Sequence, residues 1–384
     1  MLPSEEPSQV SFNSRRVAVA HERQRTAGSS IMSSTASSTL TRATVCPYED
    51  YFAAVWDNFV NRHASATLFH LTAWKRVIEK TFGFKARYLL AEEDGVVRGV
   101  LPLFLVSNVL QGRSLISTPF AVYGGPCADA PSVASLLRQA ACRIAREEGV
   151  QYLELREQEP PSESQFCTKQ LYVAFDRELP TNSARLLQDF PRDTRYMIRK
   201  AQKNGLQAIM DTEQLDIFYE IYSHSFHYLG TPVFPKQLFR NILKEFGTAC
   251  ELLTVWQGAK ALASVVSFRF RDWILPYFGG SILEGRQVAA NNFMYWEVMK
   301  QAIESGARYF DFGRSKLGTG AYEFKTQWNM RERSLPYQFY LVRRSSMPNF
   351  SPTNPRFKRA IAIWRTLPFA VTKVLGPPLA KLFP

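Results

Sequence analysis

The chain contains two copies of one pattern, and this repeat limits the folds it can adopt more than any other feature. The first copy has a pair of strand patterns around a turn at Asp94 and Gly95, followed by the double glycine Gly124 and Gly125. A helical pattern then covers residues 132–148, because its apolar residues recur on one face. Gly149 ends that helix, and the letters VQYLELRE predict a buried strand.

The second copy repeats these signals in the same order. Strand patterns turn at Gly258, a double glycine follows at Gly279 and Gly280, and a helical pattern covers residues 290–305. The letters GVQYLEL from Gly149 and GARYFDF from Gly306 align with an offset of 157 residues. Each copy contains antiparallel strands, a helix and another strand, which predicts a duplicated α/β (α+β) fold with mostly antiparallel sheets flanked by helices.

Length and charge restrict the class of protein further. A chain of 384 residues is long enough for two domains. Its net charge of +13 favours anionic partners such as nucleic acids, phosphorylated substrates or an anionic membrane surface. The charge is uneven, because no acidic residue follows Glu332 while nine Lys and Arg residues do.

A helical segment between the copies carries a cationic stripe. Arg192, Arg195, Arg199 and Lys203 are spaced by 3, 4 and 4 residues, so they share one face of a helix that ends at Asn204-Gly205.

Four segments follow from these patterns. Residues 1–43 are rich in Ser, Thr and Arg and are expected to be a disordered N-terminal tail, with translation starting at Met1 or Met32. The first domain is expected at 44–190, the second at 191–345, and a basic amphipathic C-terminal tail at 346–384.

The most unusual stretch of the second copy follows its last strand. Within sixteen residues it holds three glycines and three cations, listed as Gly313, Arg314, Lys316, Gly318, Gly320 and Lys325. Glycines let backbone N–H groups approach an anion or a carbonyl oxygen, and the cations would supply charge. The alternative is a cationic surface loop without a function. The first copy has no equivalent of this continuation, so chemistry is expected in the second copy.

Acidic and nucleophilic groups are sparse around this loop. Asp311 could act as a base or could anchor the loop backbone, and Tyr322 could donate or accept a proton. There is no GxSxG motif, and no Cys lies near a His in sequence. This inventory suits direct attack of a bound amine on an activated acyl group, with the protein positioning reactants and stabilising an oxyanion.

Two segments resemble motifs of FemAB-like acyltransferases. The letters YFDFGRSKLGTGAYEFKTQW at 309–328 resemble the C-terminal signature of that family, and RYMIRKAQKNGL at 195–206 looks like its basic segment. The stretch from YFGGS at 277–281 to FDFGRS is most similar to FemAB-like proteins associated with XrtA/PEP-CTERM and exopolysaccharide loci. The resemblance covers about residues 45–345, and the tail is similar to that subgroup as well.

The resemblance implies two tandem GNAT-like acyltransferase domains. It also implies transfer of an aminoacyl or other acyl group to an amine of a peptidoglycan, cell-envelope or exopolysaccharide precursor linked to a nucleotide or lipid. Lys325 matches the lysine of the family's Phe-Lys motif near the reaction channel. With Asp311 and Tyr322 it forms the catalytic set. The substrate-binding set is listed as Arg195, Arg199, Lys203, Arg314, Lys316, Gly318 and Gly320.

The acyl donor stays open between aminoacyl-tRNA and acyl-CoA, and no tightly bound cofactor or metal is expected. The chain lacks the long helical arm of tRNA-dependent members, and it carries Arg314-Ser-Lys where they have a glycine-rich stretch. It also lacks the Gln/Arg-x-x-Gly-x-Gly/Ala signature of acetyl-CoA binding.

Two other functions compete with acyl transfer. One is a non-catalytic binding or scaffold module of the same fold in exopolysaccharide or PEP-CTERM protein assembly. The other is a nucleic-acid binder, which rests on the positive charge alone because no RNA- or DNA-binding motif is present.

Two sequence features, the cysteines and the C-terminal tail, bear on where in the cell the protein is located. Scattered cysteines without a CxxC motif favour a cytoplasmic protein. The tail at 350–384 could contact an anionic membrane peripherally, at the inner membrane, or could pack against the domains. His224 and His227 are expected to be a surface pair on a helix rather than metal ligands.

Overall fold

A computed structural model describes residues 42–110, 112–161, 163–348 and 355–384. Of the expected disordered tail at 1–43, residues 1–41 lie outside the described residues. The described part is a mixed α/β structure, as predicted, with one four-stranded and one eleven-stranded sheet among its described residues.

The first copy opens the fold with nine strands and four helices among its described residues. Its strands are β1 (Thr44–Pro47), β2 (Lys85–Ala86), β3 (Leu89–Glu93), β4 (Val96–Leu101), β5 (Phe104–Asn108), β6 (Gly112–Ile116), β7 (Cys127–Ala128), β8 (Tyr152–Leu155) and β9 (Cys167–Glu178). Its helices are α1 (Ala53–Arg62), α2 (Thr72–Phe82), α3 (Pro131–Glu147) and α4 (Ser183–Asp189).

The second copy and the tail supply the remaining elements. The strands are β10 (Leu206–Met210), β11 (Cys250–Gln257), β12 (Lys260–Phe270), β13 (Trp273–Ser281), β14 (Tyr309–Lys316) and β15 (Arg331–Leu341). The helices are α5 (Arg192–Lys203), α6 (Leu215–Leu229), α7 (Lys236–Phe246), α8 (Leu283–Gln287), α9 (Ala290–Glu304), α10 (Gly320–Thr326), α11 (Pro355–Thr366) and α12 (Phe369–Ala380).

The local sequence signals agree with these bounds. The turns predicted at Gly95 and Gly258 join β3 to β4 and β11 to β12, and both glycines have a positive φ angle. The amphipathic patterns predicted at 132–148 and 290–305 are α3 and α9.

The two copies are joined by an exchange of their last strands. The large sheet has the order β10-β11-β12-β13-β14-β9-β15-β8-β6-β5-β2. Strand β9 of the first copy pairs with β14 of the second, and β15 of the second copy pairs with β8 of the first. The copies therefore share one continuous sheet, and the segment boundaries at 190 and 345 stay predictions.

Among the described residues a parallel strand pair occurs once in each copy, and it marks the same place in the repeat. In the first copy β6 pairs with β8 at Leu115–Leu153 and Ile116–Glu154. In the second copy β13 pairs with β14 at Trp273–Tyr309 and Ile274–Phe310. Pairing ends after these two positions in each copy, and the place where it ends is called the opening of that copy below.

The two histidines that were predicted to lie side by side on one helix are in contact with the C-terminal tail. His224 and His227 are on α6, where the ring of His224 stacks on Phe369 of α12 with centroids 3.8 Å apart. His227 Nδ1 lies 3.0 Å from Thr372 Oγ1. One face of the tail helix α12 is therefore packed against the second copy. Within the described residues, no helix is both long and apolar enough to cross a bilayer.

Candidate functional site

The opening of the second copy begins at a bulge in β14. Pairing between β14 and β9 shifts register between Asp311 and Arg314, and Gly313 within the bulge has a φ of +69°. Glycine adopts this left-handed conformation without a Cβ penalty. A Cβ built on Gly313 would meet nothing within 4 Å, so the space beside it is open.

Asp311 fixes the shape of this bulge. Its Oδ1 accepts a hydrogen bond from the Gly313 N–H at 2.7 Å, and its Oδ2 accepts one from the Tyr123 hydroxyl at 2.9 Å. The carboxyl group is buried, and burial raises its pKa, although the two donors and the nearby Arg333 oppose this shift. The contacts favour the anchoring role that the sequence allowed for Asp311.

Lys325 approaches the same bulge from the face of the sheet that carries Phe312, opposite to the face that carries Asp311. It lies on α10, and its Nζ donates to the carbonyl oxygens of Gly313 at 3.2 Å and Arg314 at 3.0 Å. The ammonium group also lies 5.3 Å from the centre of the Phe312 ring. Burial lowers the pKa of Lys325 to about 7, and Asp311 partly offsets that effect.

The hydrogen bonds of Lys325 limit what it can do. A charged lysine has three N–H donors, and two are used on the backbone carbonyls. One donor therefore remains for a substrate oxygen when the group is protonated. A neutral amine would have two N–H groups, both already used.

The equivalent opening of the first copy is filled. One residue beyond the aligned segments, the offset of 157 matches Gly313 to Arg156, whose side chain is only 2% exposed. Its guanidinium donates to the carbonyl oxygens of Thr118 and Ala121, both at 2.8 Å, and pairs with Glu154 at 2.9 Å. It also donates to the Pro384 oxygen at 2.9 Å. An arginine therefore occupies the place that a glycine leaves open in the second copy.

A cavity of about 630 Å³ lies between the copies. Asp311 and Tyr123 belong to its wall, which combines first-copy loops at 64–70 and 123–126 with second-copy residues at 270–275 and 331–334. Five arginines and three carboxylates line it, listed as Arg138, Arg156, Arg271, Arg331, Arg333, Glu157, Glu159 and Asp311. A cavity with this lining suits an acceptor that carries an anionic group.

Two of these arginines share one buried carboxylate. Arg331 Nη2 lies 2.6 Å from Asp176 Oδ1, and Arg333 Nε lies 2.5 Å from Asp176 Oδ2. Asp311 also lies near Arg333, so the positive charge of the cavity comes from the excess of arginines over carboxylates in its lining, five against three. Arg271 adds another cation, held by the carbonyl oxygens of Val60 and His63.

The double glycine of the first copy forms part of the cavity wall. A Cβ on Gly124 would lie 2.0 Å from Thr118 Oγ1, so only glycine fits there. His70 holds the next residue, because its Nε2 donates to the Gly125 oxygen at 3.0 Å while its Nδ1 accepts from the Thr67 N–H. Burial lowers the pKa of His70 to about 4, so the imidazole is neutral and structural.

The other residues predicted from the loop lie apart from the cavity wall. The guanidinium of Arg314 lies 4.7 Å from the Tyr172 ring centre and donates to the Tyr337 hydroxyl at 2.9 Å. Gly318 and Gly320 are exposed before and at the start of α10, and Lys316 is partly buried at the end of β14. Tyr322, three residues before Lys325 on α10, donates to Glu332 Oε2 at 3.1 Å. Only Lys325 and Asp311 of the predicted catalytic set meet at the bulge.

The cationic stripe of α5 lies near α10. The Thr194 hydroxyl of α5 donates to the Gln327 oxygen just after α10, at 2.5 Å. Arg199 and Lys203 are exposed, whereas Arg195 is partly buried and donates to the Gln188 oxygen at 2.9 Å. The stripe therefore belongs to the Lys325 side of the sheet, and its residues do not line the cavity.

Sequence reasoning missed the residues that come from the first copy. Tyr123 and Arg156 of the first copy, like Arg333 of the second, reach the site through tertiary contacts, and only the double glycine next to Tyr123 marked the first-copy segment. The sequence also suggested no Cys–His pair, yet Cys127 Sγ lies 2.8 Å from His63 Nδ1. Burial raises the pKa of the Cys127 thiol to about 12, which opposes a nucleophilic role.

The anchoring role of Asp311 predicts different results for two substitutions. Asp311→Ala should lower the free energy of unfolding by about 1–3 kcal/mol, because the Gly313 N–H and the Tyr123 hydroxyl lose their acceptors. Asp311→Asn should cost less, because an amide oxygen still accepts from Gly313. Denaturant titration measures both values. A hundredfold loss of turnover in D311N at unchanged stability would instead identify the carboxylate as a base.

Comparison with known proteins agrees with the geometry of the second copy. Residues 188–326 match the family described as Acetyltransferase (GNAT) domain. No curated protein matched the sequence.

Solved structures extend the similarity to both copies. The crystal structure of FemX aligns with a TM-score of 0.61 at 17% identity, covering 78% of this chain and 98% of that one. The C-terminal domain of a putative lysylphosphatidylglycerol synthetase from Agrobacterium fabrum aligns with a TM-score of 0.50 at 14% identity, covering 76% and 92%. A tandem GNAT protein from the clavulanic acid biosynthesis pathway aligns with a TM-score of 0.50 at 10% identity, covering 79% and 100%. Residues 188–326 are thus similar to a GNAT acetyltransferase domain, and the fold of both copies is similar to that of FemX and of a tandem GNAT protein.

Proposed function

We propose that this protein is a FemAB-like acyltransferase. It transfers an acyl or aminoacyl group to an amine of a cell-envelope or exopolysaccharide precursor. The observation that carries the proposal is the difference between the two openings: Arg156 fills the first, whereas Gly313 leaves the second open with Lys325 beside it. The GNAT domain match at 188–326 covers this second opening.

The two reactants would approach the bulge of β14 from opposite faces of the sheet. The acceptor binds in the cavity between the copies, where Arg271, Arg331 and Arg333 supply positive charge for a phosphate. The donor binds on the α10 side, where Arg199 and Lys203 of α5 can meet the phosphates of either tRNA or CoA. Arg195, Arg314, Lys316, Gly318 and Gly320 stay predictions for binding on that side.

The transfer itself needs no covalent enzyme intermediate. The acceptor amine attacks the acyl carbonyl carbon, a C–N bond forms, and the ester or thioester bond of the donor breaks. The amine loses one proton to solvent or to the leaving group, and Tyr322 stays a candidate for moving it. The free N–H of charged Lys325 would stabilise the oxyanion formed on the carbonyl oxygen.

The resemblance and the neighbours support the precursor class. The sequence motifs resemble FemAB-like proteins of the XrtA/PEP-CTERM subgroup, which favours an exopolysaccharide or PEP-CTERM context. A putative lysylphosphatidylglycerol synthetase domain is among the similar folds, and its name favours an acceptor linked to a lipid. A lipid-linked acceptor would bring the reaction to the inner face of the membrane, for which residues 350–384 supply a candidate surface.

The alternative is a non-catalytic scaffold of the same fold, and donor binding separates the two functions. Binding of its donor should raise the free energy of unfolding of an acyltransferase by about 2.7 kcal/mol when the free donor concentration is 100 times Kd. A thermal-shift screen with acetyl-CoA, longer acyl-CoA esters and aminoacyl-tRNA tests this, with free CoA and uncharged tRNA as controls. A rise in Tm with one acylated donor supports the enzyme, whereas no shift with any of them supports the scaffold.

A further inference from the structure

The C-terminal helix α12 has an unusual distribution of apolar residues. Its packed face carries Thr372, Gly376 and Ala380, which are spaced by four residues and buried. A Cβ on Gly376 would lie 2.7 Å from Val233, so this face fits tightly. The helix is therefore held in a defined orientation.

The opposite face of α12 is apolar and open to solvent. Val371, Val374, Leu375 and Pro378 follow the i, i+3, i+4, i+7 spacing of one helix face. The side chains of Val371, Val374 and Leu375 are 38%, 74% and 44% exposed. A solvent-facing helix in a soluble domain normally carries polar residues on this side, so the stripe calls for a partner.

Neighbouring elements extend this apolar surface and give it positive charge. On α11, Ile363 is 62% exposed, the exposed Arg359 lies one turn before it on the same helix face, and Arg365 is exposed as well. Arg365 donates to the Leu229 oxygen at 3.0 Å, which places the exposed Leu229 beside α11. The open face of α12 together with Ile363, Arg359, Arg365 and Leu229 is called the tail surface below.

The charges of the tail indicate what could cover this surface. Residues 355–384 contain six Lys and Arg residues and no Asp or Glu. A second copy of the chain, docked through the same face about a two-fold axis, would bring like charges together. A bilayer with anionic headgroups offers phosphates to the cations and acyl chains to the apolar stripe.

We propose that the tail surface binds the surface of an anionic lipid bilayer. Val371, Val374, Leu375 and Ile363 enter the boundary between headgroups and acyl chains, while Arg359 and Arg365 remain among the phosphates. Binding is peripheral, because one face of α12 stays packed on α6. The proposal rests on the exposed stripe and its charge, and it does not depend on acyl transfer.

Vesicle co-sedimentation of the full chain tests the proposal. Wild-type protein should bind vesicles of phosphatidylcholine and phosphatidylglycerol (3:1) at least tenfold more strongly than vesicles of phosphatidylcholine alone. The double substitution V374D/L375D should lower binding to the anionic vesicles at least tenfold. Both side chains face solvent, so the melting temperature should change little, and V374S/L375S provides a second variant without added charge.

A matched control separates the tail surface from a general effect of charge. Val55 on α1 and Val96 on β4 are 47% and 50% exposed, so V55D/V96D adds the same charge elsewhere and should leave vesicle binding unchanged. Equal binding by V374D/L375D and the wild type would overturn the proposal. So would equal binding to both vesicle types, or a dimer that V374D/L375D converts to a monomer without loss of vesicle binding.

Discussion

Replacing Lys325 by alanine should lower kcat for acyl transfer by about 10²–10³-fold, with the donor identified by the thermal-shift screen. This is the usual cost of removing one donor from an oxyanion site. The structure supports so large an effect because the backbone carbonyls of Gly313 and Arg314 fix the ammonium group beside the bulge. Donor binding should change less than kcat, because the oxyanion exists only during the reaction.

The pH dependence of this loss identifies the form of Lys325 that acts. Its pKa of about 7 means that the group is charged below pH 7 and neutral above it. If the charged form stabilises the oxyanion, the ratio of wild-type to K325A rate constants should be highest below pH 7. It should fall by about tenfold per pH unit above 7. The ratio is used because titration of the acceptor amine affects both proteins equally.

A lysine on the protein surface provides the control. Lys300 lies on α9, is 38% exposed and pairs with Glu297 at 3.5 Å, so K300A should keep the wild-type rate at every pH. K325R should remove the fall above pH 7, because a guanidinium stays charged. Unchanged turnover in K325A would remove Lys325 from the mechanism, and a ratio that rises with pH would indicate a basic rather than a cationic role.

The sequence predicted the parts of the fold that depend on nearby residues. The turns at Gly95 and Gly258 and the helices α3 and α9 follow from glycine positions and from apolar residues at helical spacing, which are local signals. The repeat then predicted two related units. The density of glycines and cations drew attention to Lys325, and the structure places that residue at the bulge of β14.

The exchange of β9 and β15 could not be predicted in the same way. Both are long strands with similar apolar patterns, and pairing of either with β8 or β14 satisfies local propensity equally well. The cavity between the copies depends on that exchange, because β15 carries Arg331 and Arg333 to first-copy residues. Lys325 was therefore found from the sequence, whereas the cavity arginines and Tyr123 were not.

The second large predicted effect is a loss of stability when Arg156, which fills the opening of the first copy, is replaced. Arg156→Met should lower the free energy of unfolding by about 3–5 kcal/mol, as expected when one partner of a buried ion pair is removed. Glu154 would lose its counter-ion, and the carbonyl oxygens of Thr118, Ala121 and Pro384 would lose a donor. Methionine fills much of the volume of the arginine chain, so the loss reports the polar contacts rather than a cavity. Denaturant titration of the full chain measures it.

A partly exposed arginine in the same copy shows how much of this cost depends on burial. Arg113 pairs with Glu148 near the surface, where its side chain is 49% exposed, so Arg113→Met should cost only about 0–1 kcal/mol. A loss below 1 kcal/mol in R156M as well would mean that water replaces the guanidinium at little cost. The first opening would then be accessible to a ligand, and the contrast between Arg156 and Gly313 would no longer distinguish the two copies.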